Sequence, residues 1–150
     1  MAFTTIATPK FTDLVVNEKD APVGYARKVI PVNTTAAETL PLGAVVFRAK
    51  GVDPTADYDI VDSNLDIAVA NEYAVVIGDQ LKVQLDGVTT AAGSTVNLLA
   101  FVRGDVILKK KLPLDYLVNT AGLTEAEANQ VLHLLESQGV LSETTIGYAP

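Results

Sequence analysis

The chain has no cysteine, no tryptophan, one methionine and one histidine among its 150 residues. Without cysteine there can be no disulfide, no thiolate metal site and no cysteine nucleophile, and the redox compartment is left open. A Ser/His/Asp arrangement would have to recruit His133. On the wheel of a helix over 125–138, Ala128, Val131, Leu132 and Leu135 form one face and His133 points away from it. No serine stands in a GxSxG turn, and no GxxxxGK or GxGxxG phosphate loop is present. Aromatic residues make up 6% of the chain, which supplies a carbohydrate cleft poorly. Basic residues are scarce, with 11 Lys and Arg against 18 Asp and Glu and a formal charge of −7. That balance argues against sequence-independent binding to nucleic acid and against an anionic membrane surface. No window reaches the ~18 consecutive apolar residues of a membrane span. The opening MAFTTIATPKF lacks the basic and apolar regions of a signal peptide, so a cytosolic product is expected. Nothing here reads as an enzyme, and neither a cofactor nor a metal is expected.

What is present is apolar surplus: 49% of residues are hydrophobic, enough for one domain with appendages. The chain is organised around Thr95 to Leu141. Val96, Leu98, Ala100 and Val102 fall on one face of a strand, with Leu99 and Phe101 on the other, so both faces should be covered. Gly104 permits a kink or bulge before Val106 to Leu108 resumes the strand. The helix 125–138 carries its own signals. Thr124 and Glu127 form a capping box, Gly139 suits the left-handed residue after the helix, and Val140 can fold back on Leu135.

Before this stretch the pattern is β-rich. Residues 1–24 mix threonines and prolines with spaced apolar residues and read as an extended N-terminal arm, roughly 80 Å if fully stretched. It is either an unstructured terminus or a segment that adds a strand to a partner's sheet edge. The domain then spans 25–150. Strands are expected at Tyr25 to Val32, with Pro31 at an edge, within Leu40 to Arg48, at Asp57 to Val61 and within Ile67 to Gly78. Thr34 to Thr39 suggests one helical turn. Leu81, Val83 and Leu85 alternate with polar residues as a half-buried strand does, and Asp86–Gly87 is a hairpin signal. The tail after Leu141 suits a last strand.

Three further features bear on function. Asp62, Asn64 and Asp66 match the first ligands of an EF-hand loop, but Ile67 replaces its glycine and Tyr73 its glutamate. The run Asp53, Asp57, Asp59, Asp62, Asp66 then reads as turn chemistry, with a loose calcium site as the rival. Arg103–Gly104–Asp105 spells an adhesion tripeptide, though its flanks make it a bulge between strands. Lys109 to Lys111 reads as a solvated strand end.

The run Glu72 to Asp79 (EYAVVIGD), followed by Val96 to Leu108, resembles the core of the tailed-phage head decoration (capsid cement) proteins, the lambda head protein D-like family. Leu40 to Phe47 matches the family's entry into its first core strand. Lys111 to Leu114, the helix from Thr124 to Gln138 and the short apolar end complete the order. The likeness covers 40–141, with 115–122 and the tail longer than the family pattern. It implies a predominantly β (α+β), compact β-tulip or barrel-like domain with one main C-terminal helix and an extended N-terminal arm. It also implies a homotrimer on the outer surface of the expanded head, made in the host cytoplasm and bound to the major capsid (coat) protein. Such a protein resists the pressure of packaged DNA. The arm would grip the coat through Phe3, Ile6, Phe11, Leu14 and Val16. The alternatives are another virion part, such as a head fibre base or tail component, and a surface adhesion or carbohydrate-binding module.

Overall fold

The computed structural model describes residues 8–18, 26–51, 53, 55–104 and 106–142. It is mostly β, with a curled half-barrel sheet and two α-helices. The central strand is β6 (Asn71–Asp79), whose residues Tyr73 to Gly78 are all buried. It lies between β4 (Val45–Ala49) and β8 (Thr95–Phe101), both antiparallel to it. β5 (Asp59–Ile60) extends the sheet beyond β4, and β2 (Arg27–Asn33) beyond β8, giving the order β2-β8-β6-β4-β5. The sheet curls until its two edges touch. Tyr58 donates its N–H to the Pro31 carbonyl at 2.8 Å and accepts the Asn33 N–H at 2.9 Å. Pro31 is tolerated because its backbone polar side faces this outer edge, so its missing N–H removes nothing from the β8 ladder.

A second sheet has the order β1 (Val15–Glu18), β9 (Val106–Leu108), β10 (Val140–Ser142). The strand expected to resume after Gly104 is there, but in this second sheet, because the chain turns away from β6 after Phe101. Its departure leaves Tyr73 without a strand neighbour on that side. The Gln138 side chain takes the place of one: its Oε1 accepts the Tyr73 N–H at 2.8 Å, and its Nε2 donates to the carbonyls of Tyr73 at 2.7 Å and Val102 at 3.0 Å. Next to it, Gly139 holds φ +87°, and a Cβ there would lie 2.7 Å from the backbone of Gly104. Both glycines are needed for that close approach.

Helix α2 (Glu125–Ser137) starts as its sequence demands. Thr124 Oγ1 accepts the Glu127 N–H, and Glu127 Oε2 accepts the Thr124 N–H at 2.9 Å. Ala128, Val131, Leu132 and Leu135 are buried. The expectation of one main helix needs correction, because a short α1 (Lys111–Asp115) runs on through a wider turn, Tyr116–Thr120. Pro113 occupies the first turn of α1, where a missing N–H costs no helical bond; the first bond back is Leu114 N–H to the Lys110 carbonyl, 2.8 Å. Lys111, read as a strand end, pairs instead with Asp115 at 2.8 Å.

Two other local expectations fail. Leu81 to Leu85 is a loop, since both sides of β6 are already occupied and only Val83 bridges back to Gly78. The Asp86–Gly87 turn exists but leads into β7 (Val88–Thr89), which pairs with β3 (Thr39–Leu40) rather than closing a hairpin on 81–85. The helical turn expected before Thr39 is instead a bend at Thr35–Ala36, pinned by the Thr34 hydroxyl against Thr90 Oγ1 at 2.7 Å and the Ala36 carbonyl at 2.6 Å. The tulip shape is not a description that these elements establish. The tail beyond Ser142 lies outside the described residues.

Two tyrosines report on core integrity. Burial, then the Glu72 charge, pushes the Tyr58 phenol up to about 12. Burial, then the charges of Glu38, Asp62 and Asp59, does the same for Tyr116, also to about 12. Unfolded tyrosines ionise near 10. Between those values the folded state holds more protons than the unfolded one, so stability should fall as pH rises from about 10 to about 12. A phenolate absorbance titration should show part of the five-tyrosine signal delayed to that range, and uniform titration near 10 would contradict it. Gln138→Ala should cost about 2–3 kcal/mol in urea denaturation, at ~1 kcal/mol for each backbone group left without its partner. An unchanged midpoint would show that water replaces the amide freely.

Candidate interaction surface

The His133 side chain is 81% exposed, and Glu136 Oε2 lies 3.2 Å from its Nδ1, one turn along the same helix. Among the described residues no three of His, Asp and Glu are placed to share a metal ion. Four members of the aspartate run bond groups of the fold itself, Asp53 and Asp66 within their own turns. Asp53 Oδ1 accepts the Thr55 N–H at 2.8 Å, Asp57 Oδ2 bonds Thr95 Oγ1 at 2.9 Å, and Asp59 Oδ1 accepts the Ile60 N–H at 2.7 Å. Asp66 Oδ2 accepts the N–H groups of Asp62 at 3.0 Å and Ser63 at 3.2 Å. Desolvation, then the neighbouring Asp66 and Asp59, raises the Asp62 carboxyl above its ordinary value. In the Arg103–Gly104–Asp105 tripeptide, Gly104 donates its N–H to the Gln138 carbonyl at 2.9 Å and packs on Gly139; Asp105 lies outside the described residues.

The arm residues separate into three groups. Phe3 and Ile6 lie outside the described residues. Phe11 and Leu14 belong to this chain's own core. A single turn over Phe11–Asp13 delivers Leu14 into the interior, where it is 0% exposed. The Phe11 ring packs 6.5 Å from Phe101, with the Arg27 guanidinium 5.4 Å from its centroid. β1 then pairs with β9, and Arg27 forks onto Glu18 with two bonds of 2.8 Å. Residues 11–18 thus pack on the domain that follows, where burial of Leu14 and partial burial of Phe11 remove apolar surface from water. Val16, at the register shift in β1, is 46% exposed and remains on the surface.

Two exposed apolar features were not anticipated. The first is a groove of about 430 Å³ between α2 and the turn that precedes β6, lined by Ile67, Ala68, Val69, Ala126, His133 and Leu134 among others. Its turn side is rigid. Tyr73 Oη donates to the Asp66 carbonyl at 2.7 Å and accepts the Ala68 N–H at 3.0 Å, and Asn71 Nδ2 donates to the same Asp66 carbonyl at 2.9 Å. Val69, on its lining, is 78% exposed, and Leu65 in the same turn region is 87% exposed. The second is the loop after β6, where Leu81 is 84% exposed. The Asp79 carboxylate organises that loop, and the bonds it accepts from Gln84, Leu81 and Lys82 hold its pKa below the ordinary value. The available sequence signal was apolar residues inside polar, turn-forming stretches. Helical and strand periodicity do not detect it.

Comparison of the chain with protein-family models, with curated protein sequences and with solved structures finds no match. Leu14→Ala should destabilise the domain by about 2–5 kcal/mol, as truncation of a buried leucine does. Val16→Ala should change stability by less than about 0.5 kcal/mol. Equal effects in thermal or urea melts would contradict the placement of residues 11–18 in the fold.

Proposed function

We propose that this chain is a capsid decoration (cement) protein. It binds the outer surface of an expanded phage head as a homotrimer, contacts the major capsid protein and stabilises the shell against internal DNA pressure. The observation that carries the reading is the order of elements. An apolar central strand ends at Asp79, the successive strands β8 and β9 are separated around Gly104, a Leu/Pro segment follows as α1, and α2 and the short β10 close the described chain. That is the order on which the resemblance to the head decoration proteins rests. An architectural role also accords with side chains committed to holding turns and edges, and with a net charge of −7 that keeps decorated shells apart in solution.

In this reading the gripping segment is the chain ahead of Lys10, with Phe3 and Ile6 as anchors and Val16 as a contact beside it. Ordering a free segment costs roughly 1–2 kcal/mol per residue. Residues 11–18 are already packed on the domain, so fewer residues remain to be ordered on binding, and the remaining anchors start close to the shell. Three such segments acting together raise the effective affinity steeply. They would distinguish expanded from unexpanded shells by the spacing of their sites.

The test is co-sedimentation with expanded, decoration-free heads and with unexpanded procapsids of the parent phage. Binding to expanded heads alone, approaching one copy per coat subunit, is expected. Binding to neither particle would overturn the reading and favour a fibre, tail or adhesive role.

A further inference from the structure

The groove beside α2 has two walls, and one residue ties them together. Tyr73 Oη holds the turn wall, through the Asp66 carbonyl at 2.7 Å and the Ala68 N–H at 3.0 Å. The Tyr73 backbone holds the helix wall, since the Gln138 amide at the end of α2 bonds its N–H at 2.8 Å and its carbonyl at 2.7 Å. The spacing of the walls is therefore set before anything binds, and covering the groove costs little ordering. Ile67, Ala68, Val69, Ala126 and Leu134 give it an apolar lining of leucine-sized capacity, within a volume of about 430 Å³. Asn129 and Gln130 line it too, both exposed, and neither carboxamide has a hydrogen-bond partner among the described residues. A carboxamide offers a donor and an acceptor together, which is what a peptide backbone requires.

Charge decides what can flank an apolar side chain seated there. The lining residues of α2 stand among carboxylates: Asn129 is four residues after Glu125, Gln130 three after Glu127, and His133 three before Glu136, so each pair shares a helix face. Glu125 is exposed. Glu127 and Glu136 also bond within α2, which leaves their charges in place. None of the chain's 11 Lys and Arg falls in 52–81 or 112–142, the stretches that supply the two walls. Lys50 comes to the edge of the turn, its N–H bonding the Ala70 carbonyl at 2.8 Å, but it is outside the lining. We infer that the groove receives a short segment of a partner protein in which leucine-sized apolar side chains are flanked by lysine or arginine. The apolar side chains fill the groove, the backbone meets Asn129 and Gln130, and the flanking cations face Glu125, Glu127 and Glu136. Acidic segments are turned away, and this chain's own 79–86 loop, with Asp79 and Asp86 against Lys82, is one of them. The inference goes beyond the capsid reading and does not rest on it.

The test uses the full chain at physiological salt with short fluorescein-labelled peptides of three kinds: lysine–leucine, glutamate–leucine and lysine–serine. The lysine–leucine peptide should bind saturably in fluorescence anisotropy, and the other two at least about tenfold more weakly. Val69→Lys and Gln130→Lys should each weaken lysine–leucine binding at least about tenfold. Their melting should be unchanged, because both side chains are exposed. Thr89→Lys makes the same charge change at an exposed residue outside the groove, and should weaken binding less than about twofold. An equal loss in Thr89→Lys would mean general attraction to a chain of net charge −7, and would overturn the groove as the site. Equal binding of the glutamate–leucine peptide, or no saturable binding at all, would overturn it as well. Self-association of the wild type that Val69→Lys abolishes would give the groove to a second copy, and would also overturn the inference. Head co-sedimentation reads the capsid proposal separately.

Discussion

One side-chain amide sets the relation between the two sheets. Where β8 leaves β6 after Phe101, a buried strand would be left with an N–H and a carbonyl that nothing satisfies, at a cost of about 1–3 kcal/mol for each such group. The Gln138 amide meets both and takes the Val102 carbonyl as well. It can do so only because α2 ends beside Tyr73, and α2 ends there only because Gly139 and Gly104 allow two backbones to approach without intervening Cβ atoms. The position of β9 and β10, the cover over β6 and the line of the surface groove along α2 all follow from that junction. The groove is therefore a fixed part of the architecture.

The features legible in the sequence are those whose causes are local. The Thr124–Glu127 capping box and the left-handed Gly139 define α2 within a few residues. The apolar run from Tyr73 to Ile77 marks a strand covered on both faces whatever its neighbours are. Pro31 signalled an edge because a proline has no N–H to give. Other features depend on partners far along the chain. Leu14 looked like one of several spaced apolar residues in an arm, and only the approach of β9 makes it core. The 81–85 alternation is a true strand pattern without a vacant edge to join. Val69 and Leu81 carry no periodic signal, since each is an apolar residue within a turn-forming stretch.

Asp53, Asp66 and Asp79 hold turns, the one histidine faces solvent on the outside of α2, and Leu65, Val69 and Leu81 are exposed near the two ends of the central strand. The proposed role on a shell calls for repeated, geometrically defined contact with a larger surface. Rigidity matters because each contact then costs little ordering, and multiplicity converts modest individual contacts into durable attachment.

The most direct measurement is a cryo-electron microscopy reconstruction of the mature head of the parent phage. The account predicts density for this chain on the outer face of the shell, in three-fold clusters, with the segment ahead of Lys10 lying against the coat protein. A bare outer shell, or density for this chain only at the tail or at a fibre base, would contradict it.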